Sequence, residues 1–299
     1  MNSIALALLI TASGPYKYLP EEPDARLVEQ AAGIGTLSWA FATGECGEET
    51  WGGVPGAQVA AANVADFARA GVRYIVSTGG QAGVFTCASE AGMERFVQRY
   101  ASPQLAGIDF DIEANQSPAQ IDALVRQAAY AQRRYPQLRY SFTVATHAAS
   151  DGSRRSLNAT GEAILRALRA TGMRAYVLNL MVMNYGVPSA RVCVLKGRVC
   201  DMGRSAEQAV RNVHHRYGVP FARIAITAMI GINDVARNDT SLADARSMAA
   251  AARRLGLAGL HYWSLDRDKP CATEVAGASP VCSGTRAAPG AYGRAFGLR

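Results

Sequence analysis

Three carboxylates alternate along one short segment of the chain, residues 107–113. The segment reads Gly-Ile-Asp-Phe-Asp-Ile-Glu, so its acids are Asp109, Asp111 and Glu113. Strand side chains alternate between faces with a period of two, which puts the three acids on one face and the apolar residues on the other. Like charges about 7 Å apart in a strand interior push at least one pKa upward and leave a protonated acid near neutral pH. The segment therefore predicts general acid catalysis.

Two other interpretations of these acids are open. They could lie on an exposed strand edge and face water, although the neighbouring strands have the apolar sequences of an interior. Aligned carboxylates also bind divalent cations. The sequence offers no second acidic cluster and no metal-spaced histidine pair, since His214 and His215 are adjacent and point to different sides of their helix. We therefore expect no metal and no cofactor, and mostly structural roles for His147 and His261.

The elements that would position these acids alternate regularly along the chain. Several apolar segments are typical of strands buried on both faces of a parallel sheet. The predicted strands are 16–19, 36–43, 72–78, 107–113, 139–146, 175–184, 223–230 and 259–265. Amphipathic segments between them predict helices over 24–32, 57–70, 88–100, 119–135, 162–170, 205–217 and 242–255. Ser117 and Pro118 provide a helix start, and glycines follow four of the helices as stop signals.

Strict alternation of eight strands with helices predicts the α/β class and a single (β/α)8 TIM barrel, in which chemistry takes place at the C-terminal ends of the strands. A chain of 299 residues suits one such barrel, which we assign to residues 14–299. Residues 1–13 are apolar without a basic start, so they are interpreted as a signal-peptide remnant or an N-terminal extension. The apolar run 4–10 is too short to cross a bilayer.

The charge of the chain does not select a partner. The formal net charge is +7 and only three of the basic residues are lysines. The arginines are scattered singly and in pairs, whereas a nucleic-acid surface would show a clustered stripe. We therefore expect neither nucleic acid nor membrane as a partner.

Six cysteines fall in pairs that are close in sequence: Cys46 and Cys87, Cys193 and Cys200, Cys271 and Cys282. No pair has the spacing of a zinc knuckle or a thioredoxin-like site, and fifteen pairings are possible. The two short C-terminal pairs resemble loop staples, which need an oxidising compartment. We expect a secreted protein, extracellular or periplasmic.

At this point the residues resemble glycoside hydrolase family 18, the chitinases and their relatives. The acids 109–113 match the family's D-x-D-x-E signature on the fourth strand. Four further motifs follow the family's order: Ser77-Thr78-Gly79-Gly80, Met181-Val182-Met183-Asn184-Tyr185-Gly186, Met229-Ile230-Gly231-Ile232-Asn233-Asp234 and Trp263-Ser264-Leu265-Asp266-Arg267-Asp268. Two positions depart from the pattern. Ala106 stands where another aspartate is frequent, and Met183 holds the place of a tyrosine, which leaves open which hydroxyl contacts the substrate.

The resemblance implies roles for these residues. Glu113 would be the general acid, Asp111 would orient the substrate's acetamido group, and Asp109 would lie deeper and share a proton with Asp111. Trp263 would form the floor under a sugar ring. The remaining substrate-binding candidates are Tyr185, Asn184, Met181, Met183, Met229, Asn233, Asp234, Gly79, Gly80 and Trp51.

The implied activity is a chitinase that cuts β-1,4 linkages of N-acetylglucosamine polymers by a retaining, substrate-assisted mechanism. Its partners would be chitin or N-acetylglucosamine oligosaccharides, and we expect a monomer. The connection 231–258 lacks the α+β subdomain found in some relatives, so we expect an open groove and endo action. An endo-β-N-acetylglucosaminidase acting on N-glycans and a non-catalytic chitin lectin are the alternatives. On this barrel all six cysteines would lie on the catalytic face.

Overall fold

The structure is a computed structural model that describes residues 12–19, 27–113 and 116–298. Residues 1–11, most of the segment interpreted as a signal-peptide remnant or extension, lie outside the described residues. Residues 24–26, the start of the first predicted helix, lie outside them as well.

Eight parallel strands close into a barrel in which each strand pairs with its neighbours in chain order. This confirms the predicted (β/α)8 fold. The strands are β1 (Gly14–Tyr18), β2 (Thr36–Ala42), β3 (Arg73–Gly79), β4 (Leu105–Asp111), β5 (Arg139–Ala145), β6 (Tyr176–Met181), β7 (Ile224–Met229) and β8 (Gly259–Trp263). Glu113, predicted at the end of the fourth strand, lies two residues beyond β4.

Helices follow the strands around the outside of the barrel. They are α1 (Leu27–Gln30), α2 (Gly56–Ala70), α3 (Glu90–Arg99), α4 (Pro118–Arg134), α5 (Ala159–Thr171), α6 (Met202–Tyr217), α7 (Leu242–Leu255) and α8 (Ala291–Phe296). Ser117 forms a capping box with Gln120 at the start of α4, as its sequence predicts. The predicted bounds of α2 to α7 agree with the structure to within three residues. Within the described residues, no helix is both long and apolar enough to span a bilayer.

The two faces of each strand have different surroundings. The apolar residues of β4, Ile108 and Phe110, are fully buried in the core between the barrel and its helices. Ala106 and Ile75 form a small buried cluster with Ala12, beside the buried Arg139 at the start of β5. Polar residues occupy the interior nearer the C-terminal ends, which leaves the chemistry at that end.

The connection between β7 and β8 contains a short loop and α7, as expected from the sequence. No additional subdomain stands there to build a wall beside the C-terminal face. The loops on this face instead contain three two-residue strand pairs, Gly44–Glu45 with Phe85–Thr86, Thr50–Trp51 with Val54–Pro55, and Leu195–Lys196 with Val199–Cys200.

Three disulfides hold loops of the C-terminal face. They join Cys46 to Cys87, Cys193 to Cys200 and Cys271 to Cys282, with sequence separations of 41, 7 and 11. The first joins the loops after β2 and β3, and the other two lie within the loops after β6 and β8. The pairs that are close in sequence are therefore the pairs that bond.

We expect the Cys46–Cys87 bond to contribute more to stability than Cys193–Cys200, because closing a longer loop removes more entropy from the unfolded chain. Replacing both cysteines with alanine should lower the free energy of unfolding by about 4 kcal/mol for the first pair and about 2.5 kcal/mol for the second. Urea unfolding of the two double variants measures this. All four cysteines are buried, so the cavities left by alanine destabilise the two double variants to a similar extent. A larger loss of stability in the Cys193–Cys200 variant would contradict the prediction.

Candidate active site

Asp109 lies at the bottom of the site and accepts four hydrogen bonds from hydroxyl groups. Its Oδ1 accepts from Ser141 at 2.6 Å and Thr143 at 2.8 Å, and its Oδ2 accepts from Ser77 at 2.7 Å and Tyr16 at 3.0 Å. The donors come from β1, β3 and β5, because strand register places these positions around Asp109. A carboxylate that is 1% exposed needs such partners to be buried in the barrel.

Asp111 lies one step nearer the cleft on the same face of β4. It is 5% exposed, and its Oδ1 has no hydrogen-bond partner among the described residues. Burial raises its pKa well above the ordinary value, and the charges of Glu113 and Asp109 raise it further. No hydrogen bond joins Asp109 to Asp111 in the described part of the chain, so the geometry lacks the direct proton sharing that the resemblance implies.

Glu113 stands at the rim, where β4 has ended and the chain opens onto the cleft. Burial raises the pKa of its carboxyl to about 7, and the nearby charge of Asp234 contributes in the same direction. A carboxyl with this pKa holds its proton over much of the acid and neutral range. It is also partly open to the cleft, so it can deliver that proton to a bound molecule.

The cleft above the acids has a volume of about 690 Å³ and an aromatic wall. Trp263 of β8 stacks on Phe41 at the end of β2, with ring centroids 5.6 Å apart and planes inclined by 14°. The pairing of β2 with β3 shifts register between Trp39 and Ala42. On a regular strand Trp39 and Phe41 would share a face, but Trp39 stacks on Tyr74 in the outer core while Phe41 lines the cleft.

The loops after β6 and β7 form another wall of the cleft. Met181, Met183 and Met229 line it, as the sequence motifs predicted. Nδ2 of Asn184 donates to Asp234 at 2.7 Å, and the backbone N–H of residue 235 donates to Oδ1 of the same asparagine at 3.1 Å. Asn184 therefore holds the Asp234 carboxylate at the cleft near Glu113.

Two of the predicted substrate contacts are wrong because their side chains are buried away from the cleft. Trp51 is fully buried and donates its indole N–H to Tyr100 at 2.8 Å. Tyr185 is 1% exposed, and burial raises its pKa well above the ordinary value. It follows Asn184, whose φ of 48° turns the chain so that the tyrosine side chain enters the core.

Asn233 and Gly80 also lie outside the cleft lining, whereas Gly79 is part of it. Asn233 is 3% exposed, and its side-chain amide donates to the carbonyls of Met229 and Gly231. These two hydrogen bonds stabilise the turn that follows β7. A Cβ at residue 80 would stand 2.6 Å from the ring of Phe41, so this glycine makes room for an aromatic wall. Neither residue therefore lines the cleft, and the structure gives no support to a direct substrate contact by either.

Sequence reasoning missed several groups that the barrel brings to the site. Tyr16, Tyr18 and Phe41 line the cleft from β1 and β2, and His147 lines it from the loop after β5. Burial lowers the pKa of His147, which favours its neutral form. Apolar strand sequences gave no signal that these aromatic residues face inward.

The sequence motif that ends β8 contains two more residues with interactions at the site, Arg267 and Asp266, to which the sequence assigned no role. Arg267 donates to the carbonyls of Ile230 at 2.8 Å and Ile232 at 2.6 Å, and thereby ties the loop after β7 to β8. Asp266 forms a salt bridge with the buried Lys17 of β1. Both interactions fix the rim around Trp263.

Comparisons with known proteins bear on the fold of this chain. No family model matches the chain. A segment covering 40% of the chain is 27% identical over 128 residues to a probable bifunctional chitinase/lysozyme of Escherichia coli, and the match spans only 14% of that protein.

Among solved structures, the catalytic domain of a hyperthermophilic chitinase from Pyrococcus furiosus is similar with a TM-score of 0.75 and 24% identity, covering 95% of this chain and 92% of that one. A class V chitinase from Pseudomonas fluorescens has a TM-score of 0.56 at 11% identity, covering 96% and 99%. The chain thus has the same barrel fold as these chitinase structures, in agreement with the fold that the resemblance of its motifs implies.

Proposed function

We propose that the protein is a chitinase, which hydrolyses β-1,4 bonds between N-acetylglucosamine units with retention of configuration. One observation carries the proposal: Glu113, with its pKa near 7, stands at the rim of an aromatic-walled cleft directly above the buried Asp111. A similar chitinase structure from Pyrococcus furiosus is described as complexed with chito-oligosaccharides, which supports this substrate class.

In the proposed reaction the substrate supplies the nucleophile. Glu113 gives its proton to the glycosidic oxygen as the bond to the anomeric carbon breaks. The carbonyl oxygen of the substrate's own 2-acetamido group attacks that carbon and forms a cyclic oxazolinium ion. Asp111 accepts a hydrogen bond from the acetamido N–H and stabilises the positive charge. Glu113, now a carboxylate, removes a proton from water, which opens the ring and restores the acid.

Trp263 would supply the stacking surface for the sugar that carries the acetamido group. Its ring stands on the cleft side of β8 and is held by Phe41 behind it. We expect Trp263→Ala to raise KM for N-acetylglucosamine oligomers about tenfold, since an aromatic contact of this kind contributes on the order of 1 kcal/mol or more. Trp51→Phe, in the buried core, is the control and should leave KM unchanged. An unchanged KM in Trp263→Ala would show that Trp263 does not contact the bound sugar.

Endo action is proposed because no subdomain between β7 and β8 closes the cleft. The experiment that tests substrate and cleavage pattern is incubation with N-acetylglucosamine hexamers, a high-mannose glycoprotein and bacterial cell wall, followed by mass analysis of products. A mixture of dimers to tetramers from the hexamer supports endo-chitinase action. Release of N-glycans alone would indicate an endo-β-N-acetylglucosaminidase, and binding without hydrolysis would indicate a lectin.

Secretion is part of the proposal, because three disulfides on one face suit an oxidising compartment. Titration of thiols in protein from its native compartment tests it, and free thiols would contradict it. Action as a monomer stays a prediction that sedimentation of the purified protein tests.

A further inference from the structure

The cleft wall formed after β5 contains an imidazole and an amide that the proposed reaction does not use. His147, in the loop after β5, and Asn158, the N-cap of α5, are both half-buried and line the cleft. Thr146 pairs with Leu157 in an antiparallel bridge between the two segments. Because side chains alternate along paired segments, His147 and Asn158 lie on one face, diagonally across this bridge.

One hydrogen bond fixes the tautomer of His147. Its Nδ1 lies 3.2 Å from the backbone carbonyl of Tyr185, and a carbonyl oxygen can only accept, so Nδ1 carries the proton. Burial lowers the pKa of His147 and the positive charge of Arg155 lowers it further, so the ring is neutral at neutral pH. Nε2 is then an unprotonated acceptor, and it has no hydrogen-bond partner among the described residues.

A second hydrogen bond fixes the amide of Asn158. Its Oδ1 accepts from the backbone N–H of Gly161 at 2.9 Å and thereby caps α5. This backbone donor requires the amide oxygen at that position, so Nδ2 lies on the other side of the amide. The N–H groups of Nδ2 have no acceptor in the part of the chain that the structure describes. The imidazole and the amide therefore offer one acceptor and one donor to a bound molecule.

The loop after β5 is held against the loop after β6. The backbone N–H of Ala148 donates to the carbonyl of Val192 at 2.8 Å, and the hydroxyl of Ser150 donates to the carbonyl of Cys193 at 3.0 Å. Cys193 is in turn bonded to Cys200. Groups that are fixed before binding lose little conformational freedom when a ligand arrives, which favours specific binding at this wall.

This wall lies apart from the aromatic wall of the cleft. β5 is three strands away from β8 around the barrel, and neighbouring strands are about 4.8 Å apart. The sugar that stacks on Trp263 is therefore not the sugar that reaches His147 and Asn158. A neighbouring sugar of the same oligosaccharide occupies this part of the cleft.

We propose that His147 and Asn158 form a second recognition point for a 2-acetamido group, on a sugar next to the one that stacks on Trp263. The inference rests on the proposed function and names the substituent that this wall selects. A planar amide has its N–H and its carbonyl on opposite sides. Nε2 of His147 accepts from that N–H, and Nδ2 of Asn158 donates to that carbonyl. The ammonium of a deacetylated sugar has only donors and leaves Nδ2 without an acceptor.

Two variants each remove one of these hydrogen bonds and keep the contacts that hold the loops. In His147→Asn the side-chain amide can still donate to the carbonyl of Tyr185, but no atom takes the place of Nε2. Asn158→Asp keeps the cap on Gly161 and replaces the donor with an oxygen. Each should weaken binding of the N-acetylglucosamine tetramer roughly three- to tenfold, the size of one hydrogen bond. Calorimetry in the Glu113→Gln background, which limits hydrolysis, measures this.

Stability separates a role in the cleft from a role in the fold. Asn158→Asp should keep its melting temperature, because aspartate is as good an N-cap as asparagine and its charge favours a helix N-terminus. Asp201→Asn is the control, since it makes the reverse exchange at the cap of α6, outside the cleft lining. It should leave binding unchanged. Weaker binding in Asn158→Asp that is fully explained by unfolding would overturn the proposal.

A set of partly deacetylated substrates distinguishes an acetamido group from a hydroxyl. Tetramers in which one sugar at a time is glucosamine are titrated into the background protein and into His147→Asn. Deacetylation of the sugar at this wall should weaken binding to the background protein by a similar factor and cost nothing further in His147→Asn, since the interaction is already lost. If the losses from deacetylation add to that of His147→Asn at every position, the pair contacts a hydroxyl and the proposal is wrong. Unchanged binding in both variants would overturn it as well.

The activity of the protein with Glu113 intact is scored separately. If that protein binds the oligomers and cleaves none of them, the proposed function as a chitinase fails. The binding comparison still decides the role of His147 and Asn158 in that case, because it requires no turnover. If the protein cleaves the oligomers and both variants bind them as the parent does, only the inference about this wall fails.

Discussion

Replacing Glu113 with glutamine should lower kcat for N-acetylglucosamine oligomers about 10²- to 10⁴-fold and change KM by only a few-fold. General acid catalysis by a positioned side chain is typically of this size. The amide fills nearly the same volume at the rim of the cleft and keeps its hydrogen-bonding atoms, but it has no proton to give to the glycosidic oxygen. Steady-state rates on a fluorogenic oligomer, together with calorimetric binding of the natural oligomer, measure both quantities.

The same variant should be more stable than the unchanged protein at high pH. Glu113 has a folded-state pKa of about 7 against an ordinary value of 4.5. A carboxyl whose pKa is raised on folding contributes its full stability below 4.5 and loses it as the pH rises through about 7. Above that pH the buried charge destabilises the parent by on the order of 1–3 kcal/mol, and glutamine removes this cost. Near pH 4 the two proteins should unfold at the same temperature.

Glu48→Gln provides the matched control for the first prediction. Glu48 is an exposed glutamate of the loop after β2 and lies outside the cleft lining. Its replacement should change neither kcat nor the pH dependence of stability. Hydrolysis by Glu113→Gln at a rate within tenfold of the parent would assign the acid to another group.

Replacing Asp234 with asparagine should shift the alkaline limb of the pH–rate profile to lower pH. The charge of Asp234 helps to raise the pKa of Glu113, second to burial, so removing it lets the acid lose its proton earlier. The acid works only when protonated, and the rate must therefore fall at lower pH than in the parent. We expect a roughly two- to tenfold loss at pH 8 relative to pH 5, where both forms keep the proton.

Asp239→Asn is the control, since it removes a carboxylate from the same loop. Asp239 is exposed, lies outside the cleft lining and accepts from the backbone N–H of Asn233. Its asparagine variant can keep that bond and should leave the alkaline limb in place. Equal shifts of the alkaline limb in the two variants would indicate a general charge effect of the loop. If the alkaline limb of Asp234→Asn stays in place, the charge of Asp234 does not raise the pKa of the catalytic acid.

The order of elements and the acid face of β4 could be predicted from sequence because both depend on local patterns. Periodicity defines strands and helices, and alternation within the segment 107–113 already places Asp109, Asp111 and Glu113 on one face. The two short cysteine pairs could also be predicted, since short loops bring Cys193 to Cys200 and Cys271 to Cys282. These features require only the geometry of a single strand or loop.

Contacts across the barrel could not be predicted in this way. Tyr16 and Asn179 are 163 positions apart, and only the closure of eight strands in a fixed register brings the amide of Asn179 to the Tyr16 hydroxyl that donates to Asp109. Local irregularity had a similar effect elsewhere, because the register shift in β2 turns Phe41 into the cleft and the left-handed Asn184 turns Tyr185 out of it.

The amino-acid sequence by itself determined that this protein is a barrel with three stacked acids at the end of its fourth strand. Only the tertiary structure decided which aromatic residues line the cleft, that Asp234 lies near Glu113, and that four hydroxyls surround Asp109. The physical reason is that a strand pattern specifies which face a side chain takes. The partner across that face is specified by register and loop conformation, and these depend on the packing of the whole barrel.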